Sequence, residues 1–458
     1  PPFSTKAWSN GFDPLNDEYE RFEYGTPPEK NGDYAFLLHL LTSLKTTGKG
    51  AIILPHGVLF RGNVEATIRR EIVRRGFIKG IIGLPANLFY GTGIPACIIV
   101  LDKEHAAARK GLFMIDASKG FIKDGNKNRL RAQDIHRIVD TFTRQLEVDK
   151  CARMVPLEEI AGHDFNLNIP RYIDSSDEED IQDIEAHLKG GIPDRDIQAL
   201  DRYWQVFPGI RGSLFAPERT GYSQLRVESG EIKTTIFDHP EFVAFHQSAS
   251  GRFEQWQTAH IPGLKGIQVG DRPKELIEVL SEDLLGIFKK VDLLDPYDVY
   301  QHLMDYWEAV MQDDVYMLVS DGWQGMVEGK PNTDLIPTAL IVHRFFQAEA
   351  QAIEQLEEER DAIGRQMEEL EEEHGGEEGL LVEAQTDKGK LSKASVRARL
   401  TEIKKDPDAD EERELLEGYL ELIDQQATGN KKVKAAQKEL TAKVAARYGK
   451  LTEEEIQS

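Results

Sequence analysis

The chain has 458 residues, 40% of them hydrophobic and 8% aromatic, which is enough for two or three globular domains around a large core. Its formal net charge of −24, from 80 acidic and 56 basic residues, argues against a surface that wraps nucleic acid, because basic contacts to phosphates normally supply much of the affinity. Two cysteines exclude a disulfide framework, and the lack of an apolar run of about eighteen residues excludes a membrane span; both fit a reducing, cytoplasmic environment. The 12 histidines show no metal-ligand spacing, so no metal site is predicted.

The first part of the chain alternates between helical and strand patterns. Residues 33–48 begin with Asp33, a helix N-cap candidate, show apolar positions at helical spacing and stop at a glycine. A second helix is predicted near residues 64–75. Apolar runs predict buried strands at residues 51–55, 77–84 and 97–101, the last with Cys97 as a small core residue. Strands that alternate with helices predict a parallel, doubly wound α/β sheet.

After Tyr172 the pattern changes. An acidic, polar stretch at residues 174–183 predicts a boundary, and residues 195–330 combine aromatic clusters with turns but show no clear period. Residues 321–323 predict a turn. Apolar residues at helical spacing in this region are predicted to be core rather than a binding site. They are Tyr300, Leu303, Met304 and Trp307.

From Leu335 onward the sequence predicts a helical array. Apolar residues there fall close to a heptad seam, which the glycines at 375 and 376 end. They are Val342, Phe346, Ile353, Leu356, Ile363, Met367 and Leu370. The acidic run at residues 357–373 is either a solvated helix face or part of a long helix that docks on a partner's coiled coil.

Further helices are predicted at residues 391–403, 412–426 and 431–447. The expected organisation is therefore residues 1–174, residues 175–333 and a helical region at residues 334–458.

Several segments resemble one protein family. The chain begins Pro1-Pro2-Phe3-Ser4, residues 51–63 read AIILPHGVLFRGN, and residues 82–103 read IGLPANLFYGTGIPACIIVLDK. Together with residues 157–172 and 448–456, these are similar to the methylation subunit of type I restriction-modification systems, an N6-adenine DNA methyltransferase family. The resemblance is strongest over residues 1–174.

The resemblance implies a fold as well as an activity. It predicts the second half of a Rossmann-like, S-adenosylmethionine-dependent methyltransferase sheet, followed by a mostly helical carboxyl-terminal region with long coiled-coil-like helices. Residues 1–174 would then be the second half of the catalytic domain, and residues 334–458 the subunit-interaction region. In this family an asparagine precedes Pro-Pro-Phe, so we expect the chain to be the carboxyl-terminal portion of a longer polypeptide.

The resemblance also assigns catalytic residues. Asn-Pro-Pro-Phe holds an adenine flipped out of the duplex. The backbone oxygen of Pro1 is expected to accept a hydrogen bond from the adenine amine, Pro2 to stiffen the turn, and Phe3 to stack on the base. Phe89, Tyr90, Gly91 and Gly93 are expected to form a loop near the target base.

The expected cofactor is S-adenosylmethionine, but its ligands are not predicted in this chain. The glycine-rich turn that would approach the cofactor should follow the first strand of the sheet and open a helix. Gly91-Thr92-Gly93 lies between two strands and is followed by Ile94-Pro95, which opens a helix poorly. The cofactor site is therefore expected upstream of Pro1.

Double-stranded DNA and a specificity subunit are the expected partners, with a second methylation subunit and a restriction subunit also compatible with the resemblance. A local set of basic side chains is either a DNA contact or a solvated helix face. It consists of Arg61, Arg69, Arg70, Arg74, Arg75 and Lys79.

Two other functions compete with this hypothesis. A protein glutamine N5-methyltransferase uses the same turn chemistry on an amide nitrogen, but it resembles this chain only at Pro-Pro. A helical scaffold that carries a partial Rossmann-like fold would need no cofactor site.

Overall fold

The computed structural model describes residues 1–176, 181–376, 379–386 and 388–458. They divide into two compact units. The first comprises Pro1–His260 and Glu275–Ala309, and the second comprises Ile261–Lys274 and Val310–Ser458. The three-part division into residues 1–174, 175–333 and 334–458 stays a prediction, and its acidic boundary lies partly outside the described residues.

A five-stranded sheet forms the centre of the first unit, in the order β1-β3-β2-β4-β7. The strands and the hairpin β5-β6 that precedes β7 are β1 (Lys49–Pro55), β2 (Ile78–Gly83), β3 (Ala96–Asp102), β4 (Gly111–Asp116), β5 (Ile122–Asp124), β6 (Lys127–Arg129) and β7 (Ala152–Pro156). The runs predicted at residues 51–55, 77–84 and 97–101 are all strands, and Cys97 is fully buried.

The prediction of a parallel sheet is wrong for most strand pairs. Strand β3 pairs antiparallel with both β1 and β2, β4 pairs antiparallel with β7, and only β2 and β4 are parallel. The chain crosses from β1 to β2 through a helix, so these two strands share a direction as predicted. The connection from β2 to β3 has no helix, and the chain therefore returns antiparallel between them.

Helices cover the sheet because their apolar faces are buried against it. The predicted helix at residues 33–48 ends earlier, at Ser43, and Asp33 lies inside it rather than capping it. Tyr34, Leu37 and Ile68 belong to one core cluster with strand residues such as Ile99. The helices of this part are α1 (Asp33–Ser43), α2 (Val64–Arg74), α3 (Ala132–Arg144) and α4 (Leu157–Gly162).

The remainder of the first unit is mainly helical, with a small sheet in the order β8-β10-β9. Its strands are β8 (Ile192–Pro193), β9 (Phe215–Arg219) and β10 (Tyr222–Leu225). Its helices are α5 (Ile184–Lys189), α6 (Asp194–Ala199), α7 (Asp201–Val206), α8 (Pro208–Leu214), α9 (Ile232–Phe237), α10 (Pro240–Lys265), α11 (Pro273–Phe288) and α12 (Pro296–Tyr306). The last residues of α10 and the first two of α11 are assigned to the second unit. Tyr300, Leu303 and Trp307 are buried, which confirms them as core, whereas Met304 is half-buried.

The second unit is helical apart from the hairpin β11 (Met326–Val327) and β12 (Lys330–Pro331). A π-helical turn at Trp307–Met311 includes the first residues of its longer segment, Val310–Ser458. The turn predicted at residues 321–323 is confirmed, because a helix ends at Asp321 and Gly322 has a φ of 75°. The helices are α13 (Gln312–Asp321), α14 (Thr338–Phe345), α15 (Gln347–His374), α16 (Lys393–Glu402), α17 (Asp410–Tyr448) and α18 (Glu453–Gln457).

Helices α15 and α17 run antiparallel. Glu349 approaches Lys443, whereas Glu371, later in α15, bonds to Tyr419, earlier in α17. The helices predicted at residues 412–426 and 431–447 are one continuous helix, α17. Gly429 lies in the join, where a side chain would approach Cβ of Arg360 to 3.4 Å.

Residues of the predicted heptad seam pack against other helices of the same chain. Met367 and Leu370 pack in one cluster with residues of α16 and α17, and Ile353 is only 9% exposed. The seam therefore does not form one uncovered stripe, although docking of a subunit on this region stays a prediction. None of the described helices is both long and apolar enough to cross a membrane.

Candidate functional site

The Pro-Pro turn (residues 1–4) lies against the carboxyl-terminal side of the sheet. Pro1 and Pro2 are exposed, whereas Phe3 is half-buried against a cluster that includes Ile82 and Ile115. The ring of Phe3 meets the ring of Phe89 at a centroid distance of 5.6 Å and an interplanar angle of 73°. The structure thus brings together two predicted site residues that are far apart in the sequence.

A buried set of charges holds the turn from behind. The backbone N–H of Ser4 donates to Oδ1 of Asp33 at 2.7 Å, and Nη1 of Arg61 donates to Oδ2 of Asp33 at 2.7 Å. Arg61 also bonds to Glu65 and, through Nη2, to Oγ of Ser4 at 3.3 Å. We call Ser4, Asp33, Arg61 and Glu65 the turn anchor.

Burial of the turn anchor makes the pairing of its charged groups important for stability. The Asp33 carboxylate is 0% exposed, and an unpaired charge there would carry a large desolvation cost. Arg61 and the Ser4 N–H offset that cost, and Asp33 also begins α1, where the helix dipole favours a negative charge. Burial raises the pKa of the Glu65 carboxyl, and Arg61 opposes this rise. Ser4 has a φ of 50°, a conformation that the anchor stabilises in a residue other than glycine.

The second part of the site is the 84–95 loop, which joins β2 to β3. Gly91 has a φ of 79°, which favours glycine there, and a Cβ on Gly93 would come within 2.9 Å of Oδ1 of Asn87. Phe89 faces the turn, whereas Tyr90 beside it is 95% exposed. Phe89 therefore contacts Phe3 and Tyr90 does not bury its ring there, and the roles of both residues near a target base stay predictions.

The β5-β6 hairpin fixes this loop in place. Nζ of Lys127 donates to the backbone oxygens of Phe89 at 2.8 Å and Thr92 at 3.1 Å. The side chain of Asn128 donates to Ala86, and its backbone N–H donates to Asn87. Lys127 and Asn128 are not predicted as site residues from the sequence, because a short polar hairpin gives no signal of what it contacts.

Two further polar groups lie where strands end. His56 follows β1, its N–H donates to the oxygen of Pro95 at 2.9 Å, and its Nε2 has no partner among the described residues. Burial lowers the pKa of His56, and the carboxylate of Asp116 opposes this. Burial acts to raise the pKa of Asp116, but hydrogen bonds from Ser118 and Ser175 hold it below its usual range. A polar residue directly after a buried strand is a sequence signal that could have identified both.

The basic set is satisfied within the chain. Arg61 belongs to the turn anchor, and Arg69 is 2% exposed and donates to the backbone oxygens of Val58 and Phe165. The other members each lie against an acidic or aromatic partner. These pairs are Arg70 with Asp164, Arg74 with the ring of Phe165, Arg75 with Glu23 and Tyr24, and Lys79 with Asp102. Arg61 and Arg69 therefore serve the fold, whereas Arg74 and Arg75 are exposed, and the choice between a solvated face and a DNA contact for the exposed members stays a prediction.

The described residues do not fit a cofactor cradle at Gly91–Gly93. Gly91 and Gly93 are required by the backbone conformation and the packing of the loop. The segment leads into β3 rather than into a helix. No group of three or more metal-binding side chains occurs among the described residues.

Comparisons with known proteins match the same part of the chain. The family model of N-6 DNA Methylase matches residues 1–181. The methylase subunit of the type I restriction enzyme HindI from Haemophilus influenzae is 34% identical over 187 residues, covering 39% of this chain and 42% of that protein. That of the type I restriction enzyme MpnII from Mycoplasma pneumoniae is 35% identical over 159 residues, covering 35% of this chain and 29% of that protein.

A crystal structure of a type I restriction-modification methyltransferase subunit from Streptococcus thermophilus is 42% identical, with a TM-score of 0.35, over 38% of this chain and 37% of that one. The matches span less than half the length of these relatives. Residues 1–181 thus match the family model of N-6 DNA methylases, and the chain is similar there to methylase subunits of type I restriction enzymes.

Proposed function

We propose that this chain is part of the modification subunit of a type I restriction-modification system, and that it transfers a methyl group from S-adenosylmethionine to N6 of adenine in double-stranded DNA. One observation carries the proposal. In a region that matches N-6 DNA methylases, the turn anchor holds the Pro-Pro turn so that Phe3 lies beside Phe89. Two aromatic side chains at an accessible turn are what a flipped base needs as a stacking surface.

The target nitrogen must be made more nucleophilic. The lone pair of the adenine amine is delocalised into the ring, and acceptors bonded to its hydrogens draw the nitrogen toward a tetrahedral, more reactive form. The backbone oxygen of Pro1 is the acceptor that this chain provides, because proline retains its C=O and two consecutive prolines stiffen the turn. This positioning needs no general base with a shifted pKa.

Phe3 offsets part of the cost of flipping. Stacking of a base on an aromatic side chain is worth roughly 1–3 kcal/mol, which is comparable to the few kcal/mol that unstacking costs. The turn anchor acts on this step indirectly, since it fixes the backbone that carries Phe3 and the Pro1 oxygen.

S-adenosylmethionine would supply the methyl group, and none of the described residues is assigned to hold it. The partners that we propose are double-stranded DNA, a specificity subunit that reads its sequence, a second methylation subunit and a restriction subunit, acting in the cytoplasm. An acidic chain is compatible with this arrangement, because a partner then supplies much of the DNA affinity.

The test uses the assembled methyltransferase, meaning this chain with all segments and subunits that activity requires. Phe3→Ala should reduce methylation of duplex adenine about 5- to 150-fold, whereas Phe3→Tyr should retain most activity. Replacing a target adenine by 2-aminopurine should show less flipping fluorescence with Phe3→Ala. Tyr316→Ala, which removes an exposed aromatic ring from the second unit, is the control. Unchanged methylation and fluorescence in Phe3→Ala would refute the pocket.

A further inference from the structure

The most exposed aromatic side chain near the Pro-Pro turn belongs to Tyr90. It is 95% exposed at the tip of the 84–95 loop, and Ile94 on the same loop is 55% exposed. Single exposed apolar residues are ordinary on protein surfaces, so exposure by itself indicates nothing. The support beneath this side chain is what requires an explanation.

The loop tip is fixed rather than left free. Lys127 donates to the oxygens of Phe89 and Thr92, which flank Tyr90 on its two sides. Asn128 fixes the start of the same loop through Ala86 and Asn87. The β5-β6 hairpin therefore holds the backbone of residue 90 while leaving its ring in water. A side chain held in this way has already lost backbone freedom before it meets a partner.

Tyr90 is also tied to the Pro-Pro turn. Phe89 packs against Phe3, and the next residue in the chain points outward. A base that stacks on Phe3 would leave a duplex lying directly outside this loop. Tyr90 would then lie next to the gap that such a base leaves behind.

The loop that carries Tyr90 lacks acidic residues. The 84–95 loop contains no charged residue, and residues 121–131 carry four basic residues against one acidic residue. Three of these basic groups have partners, since Lys127 bonds to the loop, Arg129 pairs with Asp124 and Arg131 pairs with Asp134. In a chain whose net charge is −24, this is a local surface on which phosphates meet little repulsion. Gly91, which follows Tyr90 and has no other atom within 4 Å of where a Cβ would stand, leaves space for a close approach of the DNA backbone.

We propose that Tyr90 enters the duplex and stacks in the place that the flipped adenine vacates, with Lys127 as the positioning residue that holds it there. This inference rests on the proposed function. An aromatic ring suits the role because every base offers it a π-face, so it can fill the gap in any sequence. It would favour the flipped state by replacing a stacking contact that flipping removes.

The experiment compares two substrates of the assembled methyltransferase under single-turnover conditions. One duplex pairs the target adenine with thymine, and the other places an abasic site opposite it, so that little unpairing remains to be offset. On the paired duplex, Tyr90→Ala should slow methyl transfer by about tenfold or more, whereas Tyr90→Phe and Tyr90→Trp should stay near the wild-type rate. On the abasic duplex, Tyr90→Ala should come within about threefold of wild type.

Lys127→Met should show the same substrate pattern with a smaller deficit. Leu15→Ala, at an 81% exposed position elsewhere in the first unit, should match wild type on both duplexes. A Tyr90→Ala rate equal to wild type on the paired duplex would overturn the inference, as would an equal deficit on both duplexes. Failure of the proposed function gives a different result, namely no adenine methylation by the wild-type enzyme on either duplex.

Discussion

Asp33 illustrates how one buried carboxylate can hold a functional turn. Its side chain is fully buried, and its two oxygens are used by different partners, the Ser4 N–H and the Arg61 guanidinium. The first partner belongs to the turn that carries Phe3, and the second precedes α2. Any change at Asp33 is therefore expected to affect folding and the turn together.

We predict that Asp33→Ala lowers the free energy of unfolding by about 1–3 kcal/mol, because it leaves the Ser4 N–H without its acceptor and removes one of the two carboxylate partners of Arg61. Asp33→Asn keeps an acceptor for the Ser4 N–H, so its free energy of unfolding should fall by a smaller amount. Urea denaturation measures both values, with Glu18→Ala as an exposed acidic control. An unfolding free energy that is the same in Asp33→Ala and the control would contradict the role of the anchor.

The lowered pKa of His56 predicts that the stability of the fold depends on pH. Burial lowers its pKa in the folded state below the ordinary value of 6.5. As the pH falls below that value, the unfolded chain binds a proton more readily than the folded chain, so stability is lost toward acid and is fully present above it. His56→Gln should therefore shrink the difference in unfolding free energy between about pH 8 and about pH 5.5.

His105→Gln, at an exposed histidine, is the control for this measurement and should leave the difference as it is in the wild type. A difference that is unchanged in His56→Gln would show that another group causes the acid sensitivity.

The sequence predicts the burial of individual residues where burial follows from the residue type. Cys97, Tyr300 and Trp307 are buried as expected. Asp33 and Arg69 were not predictable in the same way, because charged side chains are ordinarily exposed and their burial depends on partners from distant segments. For Arg69 these partners are backbone oxygens, one of them at Phe165, and backbone oxygens leave no trace in the sequence.

At the scale of elements, apolar runs predicted where strands form but not how they pair. Strand β3 runs antiparallel to β2 because the 84–95 loop returns without a helix, and it lies between β1 and β2. The roles of Pro1, Pro2, Phe3 and the loop residues stay predictions. The structure adds the contact between Phe3 and Phe89, which joins two segments that sequence periodicity treats separately.

Helix α15 gives a prediction for the second unit. Ile353→Asp combined with Leu356→Asp places carboxylates on the apolar side of the helix, where burying a charge costs several kcal/mol. We expect a large fall in the melting temperature of the second unit. Gln351→Asp with Gln355→Asp, at exposed positions of the same helix, should shift stability by only about 0.5 kcal/mol.

Calorimetry distinguishes a packing role of the heptad seam inside the second unit from a role in docking alone. A double variant at Ile353 and Leu356 that keeps its melting temperature but no longer co-purifies with a specificity subunit would contradict the internal role that we assign to the seam.

At the scale of the whole molecule, the net charge of −24 limits how the chain meets DNA. Most of the arginines on and near α2 already have partners within the chain. We predict that the chain without partner subunits binds nonspecific duplex more weakly than about 10 μM at physiological salt. Fluorescence anisotropy over a salt series measures this, and submicromolar binding with a steep salt dependence would contradict it.

The proposed function assigns the methyl group to one acceptor atom, N6 of adenine in DNA. The assembled methyltransferase should be incubated with isotopically labelled S-adenosylmethionine, duplex DNA and a protein extract, and the products should be digested and identified by mass spectrometry. We predict label in N6-methyladenine from DNA, lost in Phe3→Ala. Label in N5-methylglutamine from protein, or no label in either product, would contradict the account.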